Sequence, residues 1–192
     1  MTFLFDKNNH FNLANIVTFF NITSGIMAIY FLTHGEFFGA ALFAWLGGVF
    51  DIIDGKIARK YALSTEFGIQ LDSFADFLSF VIVPAMFIYF GVIDGKETFL
   101  NTPIIIAAFV YYIISGLRRL ITFNINAEAG SVGKYFVGVP TPLGAIFLWL
   151  IYLGWEFNVI PTFFEISPEY IVLTLMFIVG YLLNSKVKIP HL

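Results

Sequence analysis

Six apolar runs of about twenty residues each, at 14–33, 37–61, 65–92, 102–123, 138–155 and 168–185, constrain this chain more than any other feature. About twenty helical residues are what it takes to cross the hydrocarbon core of a bilayer. A segment in that core must satisfy its own backbone N–H and C=O groups, which a helix does and a lone strand does not. Of the 192 residues, 59% are hydrophobic and 12% charged, against about 25% charged in an ordinary soluble domain. A water-soluble fold would leave too much apolar surface uncovered. The expected fold is therefore an all-α integral membrane protein with six transmembrane helices. The first run is too long and too poorly flanked for a cleaved signal peptide, so it is read as a retained span.

Residues 1–192 read as a single membrane domain, since no repeat, low-complexity tract or linker divides them. Residues 1–12 are too short to span and too mixed to be core, and are expected to form an interfacial arm. There are no cysteines, which excludes disulfides, thiolate catalysis and zinc–sulfur sites. Pro84 falls inside the third run and is expected to kink it. The fifth helix is expected to begin around Pro140 and Pro142, because proline suits a first helical turn.

The basic residues sort by loop. Lys7, Lys56, Arg59, Lys60, Arg118, Arg119, Lys134, Lys186 and Lys188 fall on one side and Lys96 alone on the other. By the positive-inside rule, both termini and the tip between the second and third helices face the cytoplasm. The expected location is the cell membrane, multi-pass, and nucleic acid is not an expected partner.

Against this apolar background stands the stretch DIIDGKIARKYALSTEFGIQLDSFAD, residues 51–76. Asp51 and Asp54 are three apart and Asp72 and Asp76 four apart, so each pair shares a helical face. If the chain reverses near Leu63, Asp54 and Asp72 each lie nine residues from the turn, and Asp51 and Asp76 lie twelve and thirteen. Four carboxylates in two level rows, about 13–20 Å from the tip, would repel one another unless cations sit among them. Ionisable groups at such depth are expensive and usually functional. Oxygen-only ligands favour a hard ion, Mg²⁺, Mn²⁺ or Ca²⁺, and four carboxylates suffice for two.

Ala40, Ala44, Gly48, Asp51, Gly55, Ala58 and Ala62 recur at three- and four-residue steps. For Ala40, Ala44 and Gly48, close helix packing is explanation enough. Gly55, set among carboxylates and just ahead of Arg59, is better explained by a phosphate or nucleotide approaching bare backbone.

The pattern Asp51-x2-Asp54-Gly55-x2-Ala58-Arg59-x8-Gly68-x3-Asp72-x3-Asp76 resembles the complete signature of the CDP-alcohol phosphotransferases. That resemblance implies a six-helix membrane enzyme, usually a homodimer, in which an acceptor hydroxyl displaces CMP from a CDP-linked substrate. It further implies that Asp51, Asp54, Asp72 and Asp76 bind two divalent cations, Mg²⁺ or Mn²⁺, and that Asp76 is also the general base. Gly55, Ala58, Arg59 and Gly68 would line the CDP site, joined by Asn15 and Thr18.

Three further stretches are similar to the serine-using branch of the family, the phosphatidylserine synthases: Asn15, Thr18 and Asn21 with Ser24 and Gly25; Leu71 to Phe80; and Phe136 to Pro142. The run Gly116 to Asn124 also resembles that branch, with Thr122 in place of an arginine, and Ala14 stands where a proline often precedes Asn15. The implied substrates are CDP-diacylglycerol or CDP-archaeol and L-serine, drawn from a surround of membrane lipids. A zwitterionic acceptor asks for a cation and hydrogen-bond acceptors. Arg118, Arg119 or Lys134 could supply the first, and Asn21 and Asn124 part of the second. Consecutive helical residues point about 100° apart, so only one of the two arginines is expected to face the pocket; the plainer alternative is that both are positive-inside anchors snorkelling to lipid phosphate. His10, His34 and His191 occupy terminal or loop positions and are expected to be bland.

Other acceptors, glycerol phosphate or an inositol-type alcohol, fit the same signature. A transporter with an intramembrane acidic ion site is the alternative from another class, and an inert helix-bundle scaffold a third. Neither accounts for Gly55, Ala58, Arg59 and Gly68 in register with the acids.

Overall fold

The structure is a computed structural model that describes residues 3–96, 101–128, 135–160, 167–186 and 188–190. Six main helices are found among the described residues: α1 (Leu13–Thr33), α2 (Phe37–Lys60), α3 (Glu66–Ile93), α4 (Thr102–Glu128), α5 (Thr141–Glu156) and α6 (Pro168–Leu183). α1 to α4 contain stretches long and apolar enough to cross a membrane. α5 and α6 have 16 residues each, about 24 Å of helix at 1.5 Å per residue, which is less than the roughly 30 Å of a hydrocarbon core. Along α2, Phe38, Trp45 and Ile52 are 86%, 68% and 57% exposed. Such outward apolar faces belong against lipid, and the protein is a membrane protein.

The chain divides into two compact units, Met1–Val83 and Pro84–Leu192. In the first, the α1–α2 hairpin dominates the packing. Asn12 caps α1, its side chain accepting the Asn15 N–H at 3.0 Å. At the far end the chain reverses through Gly35, whose φ of +74° favours glycine. α2 runs back to Lys60, and α3 begins beyond Thr65, whose hydroxyl oxygen accepts the Gly68 N–H at 3.0 Å in an N-cap.

α3 is not a uniform α-helix. Phe77–Ile82 and Tyr89–Ile93 are π-helical, flanking an α-helical Val83–Ile88 that contains Pro84. The Val83 N–H accordingly reaches the Leu78 carbonyl, five residues back. A proline ring crowds the carbonyl four residues before it. The sequence predicts a kink at Pro84; the structure shows a wide, π-helical turn just ahead of it.

In the second unit, α6 packs on α4 and α5. Glycine lets the helices approach closely at both places: a Cβ on Gly180 would lie 2.9 Å from the Tyr111 ring, and one on Gly144 2.8 Å from Leu183. The Tyr111 and Phe177 rings stack at 4.1 Å, and Asn184 Nδ2 donates to the Ser115 carbonyl at 3.0 Å. Lys96 Nζ pairs with Glu169 at 3.1 Å and lies 4.1 Å from the centre of the Trp155 ring. To the expected all-α architecture the structure adds a short antiparallel ribbon of β1 (Tyr135–Val137) and β2 (Lys188–Pro190), with Phe136 opposite Ile189.

Candidate active site

The site lies in the first unit and is organised by the turn between α2 and α3. Two residues past the end of α2, Ala62 takes the left-handed region at φ +53°, and the Leu63 N–H returns to the Ala58 carbonyl at 3.0 Å. Leu63 itself is buried, so the turn is anchored and the chain reverses where the residue count placed it. Ala62, counted into the helical stripe from sequence, is a turn residue instead.

This reversal brings Asp51, Asp72 and Asp76 together, each offering a carboxylate oxygen within 4.8 Å of the others. Asp54 is not the fourth member of that group but lies beside it, buried, on the wall of a cleft that also contains Asp72. At 100° per residue, positions three apart diverge by about 60° and positions four apart by about 40°. Asp51 and Asp54 therefore address neighbouring spaces, whereas Asp72 and Asp76 stay closer to one line.

Two of these oxygens, Asp54 Oδ2 and Asp76 Oδ1, are buried with no hydrogen-bond partner. Buried polar atoms are ordinarily satisfied, and carboxylate oxygens left without donors beside two further carboxylates form the donor set that a hard divalent cation takes. The acidic cluster fits a metal ion on this ground.

The cleft encloses about 170 Å³. It is lined by Asn15 and Thr18 from α1, Gly55, Ala58 and Arg59 from α2, and Gly68 from α3, with Asp54 and Asp72 as its carboxylates. All six residues assigned from sequence to the CDP pocket thus meet in one place. Ala14, Leu63, Ser64 and Ile69 complete the wall.

Both glycines have a local reason. A Cβ on Gly55 would lie 3.3 Å from Arg59 Nη1, so the bare backbone leaves space for the guanidinium to fold over it. A Cβ on Gly68 would lie 2.9 Å from Asn15 Oδ1 and 3.3 Å from the Thr65 hydroxyl. Asn15 is held in turn by its amide, which donates to the His10 carbonyl at 3.0 Å. His10 stacks on Phe67 at 4.3 Å and Phe5 meets Tyr61 at 4.9 Å, so the N-terminal arm flanks the cleft. His34 bonds the Tyr30 carbonyl at the end of α1.

The residues assigned to an acceptor are less gathered. Asn21, in α1, is fully buried and its Oδ1 accepts the Ser79 hydroxyl at 2.6 Å. Arg118, Arg119 and Asn124 stand on α4 in the second unit. The two arginines differ in exposure. Arg118 is exposed, while Arg119 is buried and donates from Nε to the Val139 carbonyl at 3.0 Å and from Nη2 to that of Gly138 at 3.4 Å. Lys134 and His191 lie outside the described residues. Two residues that sequence reasoning gave no role, Ser79 and Gly47, prove to touch Asn21. Ser79 lies within the Leu71–Phe80 stretch, and only its hydroxyl in an apolar run hints at it; Gly47 is masked by its neighbour Gly48.

A family model described as CDP-alcohol phosphatidyltransferase matches residues 11–183. The chain is 31% identical to the CDP-diacylglycerol–serine O-phosphatidyltransferase of Bacillus subtilis (strain 168), over 92% of this chain and 88% of that one. It is 28% identical to the archaetidylserine synthase of Methanothermobacter thermautotrophicus, over 93% of this chain and 70% of the other. To the CDP-diacylglycerol–serine O-phosphatidyltransferase of Methanocaldococcus jannaschii it is 28% identical, over 97% and 78%. The match runs from the start of α1 to the end of α6 and takes in every residue of the cleft, and by it this chain belongs to the CDP-alcohol phosphatidyltransferase family of membrane enzymes.

Proposed function

We propose that the protein is a phosphatidylserine synthase, which transfers the phosphatidyl or archaetidyl group of a CDP-lipid to the hydroxyl of L-serine and releases CMP. The observation that carries the reaction class is the cleft, where Asn15, Thr18, Gly55, Ala58, Arg59 and Gly68 surround a space bounded by Asp54 and Asp72. The choice of serine is supported by what its bacterial and archaeal relatives are called. CDP-diacylglycerol and CDP-archaeol both fit this reading.

In the proposed reaction the serine oxygen attacks the lipid-bearing phosphorus, the phosphorus–oxygen bond to CMP breaks, and Asp76 takes the hydroxyl proton. Asp76 suits this role because its Oδ1 is buried without a donor, leaving a lone pair free. Gly55 and Gly68 let the nucleotide approach backbone, and Arg59 adds positive charge beside its phosphates. Asp51, Asp54, Asp72 and Asp76 would hold two divalent cations, Mg²⁺ or Mn²⁺. When bound, these neutralise the pyrophosphate and the charge growing on the departing CMP. For the acceptor carboxylate we favour Arg119 over Arg118, because burial makes a guanidinium a stronger partner; Lys134 is the further candidate cation, and Asn124 a candidate partner for the ammonium.

On this reading all six helices cross the membrane, both termini are cytoplasmic and the cleft opens to the cytoplasm, as the Lys and Arg distribution supports. The family match across both compact units supports one domain, and the family resemblance supports a homodimer. The test supplies the purified protein with CDP-diacylglycerol, Mn²⁺ or Mg²⁺, and a panel of labelled acceptors. Labelled lipid from serine with equimolar CMP is expected. CMP release with glycerol phosphate or inositol instead would move the protein to another branch, and solute flux in liposomes without CMP release would make it a transporter.

A further inference from the structure

Asn21 and Ser79 meet where α1, α2 and α3 converge within the first unit. The Ser79 hydroxyl donates to Asn21 Oδ1 at 2.6 Å, and both residues are buried. The third wall is the backbone of Gly47, where a Cβ would lie 3.1 Å from Asn21 Oδ1 and 3.3 Å from Ser79 Oγ. One turn further along α1, a Cβ on Gly25 would lie 2.9 Å from Leu78 and 3.4 Å from Ser79 Oγ. Three helices are thus drawn onto one hydrogen bond, and a methyl group at Gly47 would fit only if Asn21 and Ser79 gave way by a few tenths of an ångström.

The placement of this junction relates it to the acids. Gly47 precedes Asp51 by four residues and Ser79 follows Asp76 by three, so each of the two helices carries a carboxylate about one turn from the junction. Ser79 also lies inside the π-helical stretch Phe77–Ile82 that begins directly after Asp76, and π turns inside α-helices are frequent at functional sites. Asn21 Nδ2 is buried without a hydrogen-bond partner. The Ser79–Asn21 bond is directional and joins two helices, so it sets their rotation and register.

We propose that Asn21, Ser79 and Gly47 form a polar junction that holds α2 and α3 in the register at which the Asp51, Asp72 and Asp76 carboxylates converge. Asn21 and Ser79 are then positioning residues. A slip of α3 by one residue would swing Asp76 by about 100° and dissolve the cluster. The inference rests on the reading of the aspartates as metal ligands, and reassigns Asn21 from acceptor contact to helix register.

The test measures Mn²⁺ binding by electron paramagnetic resonance on the full-length protein in detergent, without CDP-lipid, so that it does not depend on turnover. Ser79→Ala, which removes one oxygen atom, is expected to weaken Mn²⁺ binding about ten-fold, as loss of a group supporting metal ligands does. Gly47→Ala removes no polar atom yet is expected to act in the same direction and to broaden the Mn²⁺ spectrum. If both variants bind Mn²⁺ as the parent does while Asp76→Asn loses it, the metal reading stands and the positioning role is overturned. If Asp72→Asn and Asp76→Asn also bind normally, the metal reading fails and takes this inference with it. Should Gly47→Ala not fold, as judged by circular dichroism, Ser79→Ala decides alone.

Discussion

Asn15 and Gly68 adjoin in the lining of the cleft so closely that a Cβ on residue 68 would lie 2.9 Å from Asn15 Oδ1. The obstructing atom belongs to a side chain fixed by its own bond to the His10 carbonyl, so it cannot swing away at no cost. Adding a methyl to a packed site costs about 1–3 kcal/mol. Gly68→Ala is therefore expected to raise the KM for CDP-lipid about ten-fold or more at 1.4 kcal/mol per decade, with a smaller change in the KM for serine. Steady-state kinetics with each substrate varied in turn checks this.

The acids are expected to separate by role. Asp76→Asn keeps the shape of the side chain and removes its basicity, so CMP release should fall by about 10²–10⁴-fold. CDP-lipid binding should survive better than turnover. Chelation of divalent ions is expected to abolish CMP release in the parent, with Mg²⁺ or Mn²⁺ restoring it. A variant turning over at more than a tenth of the parental rate would remove Asp76 as the base.

Ala62 occupies the left-handed region at φ +53°, a conformation that costs a residue with a Cβ about 1–2 kcal/mol. Glycine avoids that cost but loses about 0.5–1 kcal/mol in chain entropy. Ala62→Gly should thus be neutral to stabilising by up to about 1.5 kcal/mol, a balance of those two figures, whereas Ala62→Val should destabilise. Thermal unfolding in detergent, followed by intrinsic fluorescence, reads the sign.

The adjacent arginines give opposite expectations. Arg119→Ala leaves the Val139 and Gly138 carbonyls without their donor, a loss of about 1–3 kcal/mol for a buried group. It is expected to lower the melting temperature and to raise the KM for serine. Arg118→Ala, at an exposed position, should change stability by no more than about 0.5 kcal/mol. A serine KM that rises only in the Arg118 variant would exchange their proposed roles.

The spans were legible because a bilayer fixes their length, and α1 to α3 begin and end within about a residue of the apolar runs. α4 continues to Glu128, past the apolar limit at 123, since Asn124 and Asn126 end hydrophobicity without ending helical hydrogen bonding. The two aspartate pairs were legible through their spacing about Leu63. That three carboxylates meet while Asp54 turns into the cleft was not, because it depends on small differences in rotation between α2 and α3. The π-helical turns beside Pro84, the Asn21–Ser79 bond and the grip of Arg119 on Val139 all join residues by geometry rather than by period. The ribbon of 135–137 with 188–190 pairs segments some fifty residues apart, beyond the reach of any local pattern.

The arm before α1 has a practical consequence for handling this protein. Because Asn15 leans on the His10 carbonyl, His10 on Phe67 and Phe5 on Tyr61, residues 3–11 act as a brace for one side of the cleft. An affinity tag cleaved back into this segment, or a truncation begun at Phe11, would remove those contacts and slacken that side of the cleft. Purification handles are better carried elsewhere, and a preparation of weak activity should first be checked for an intact N-terminus.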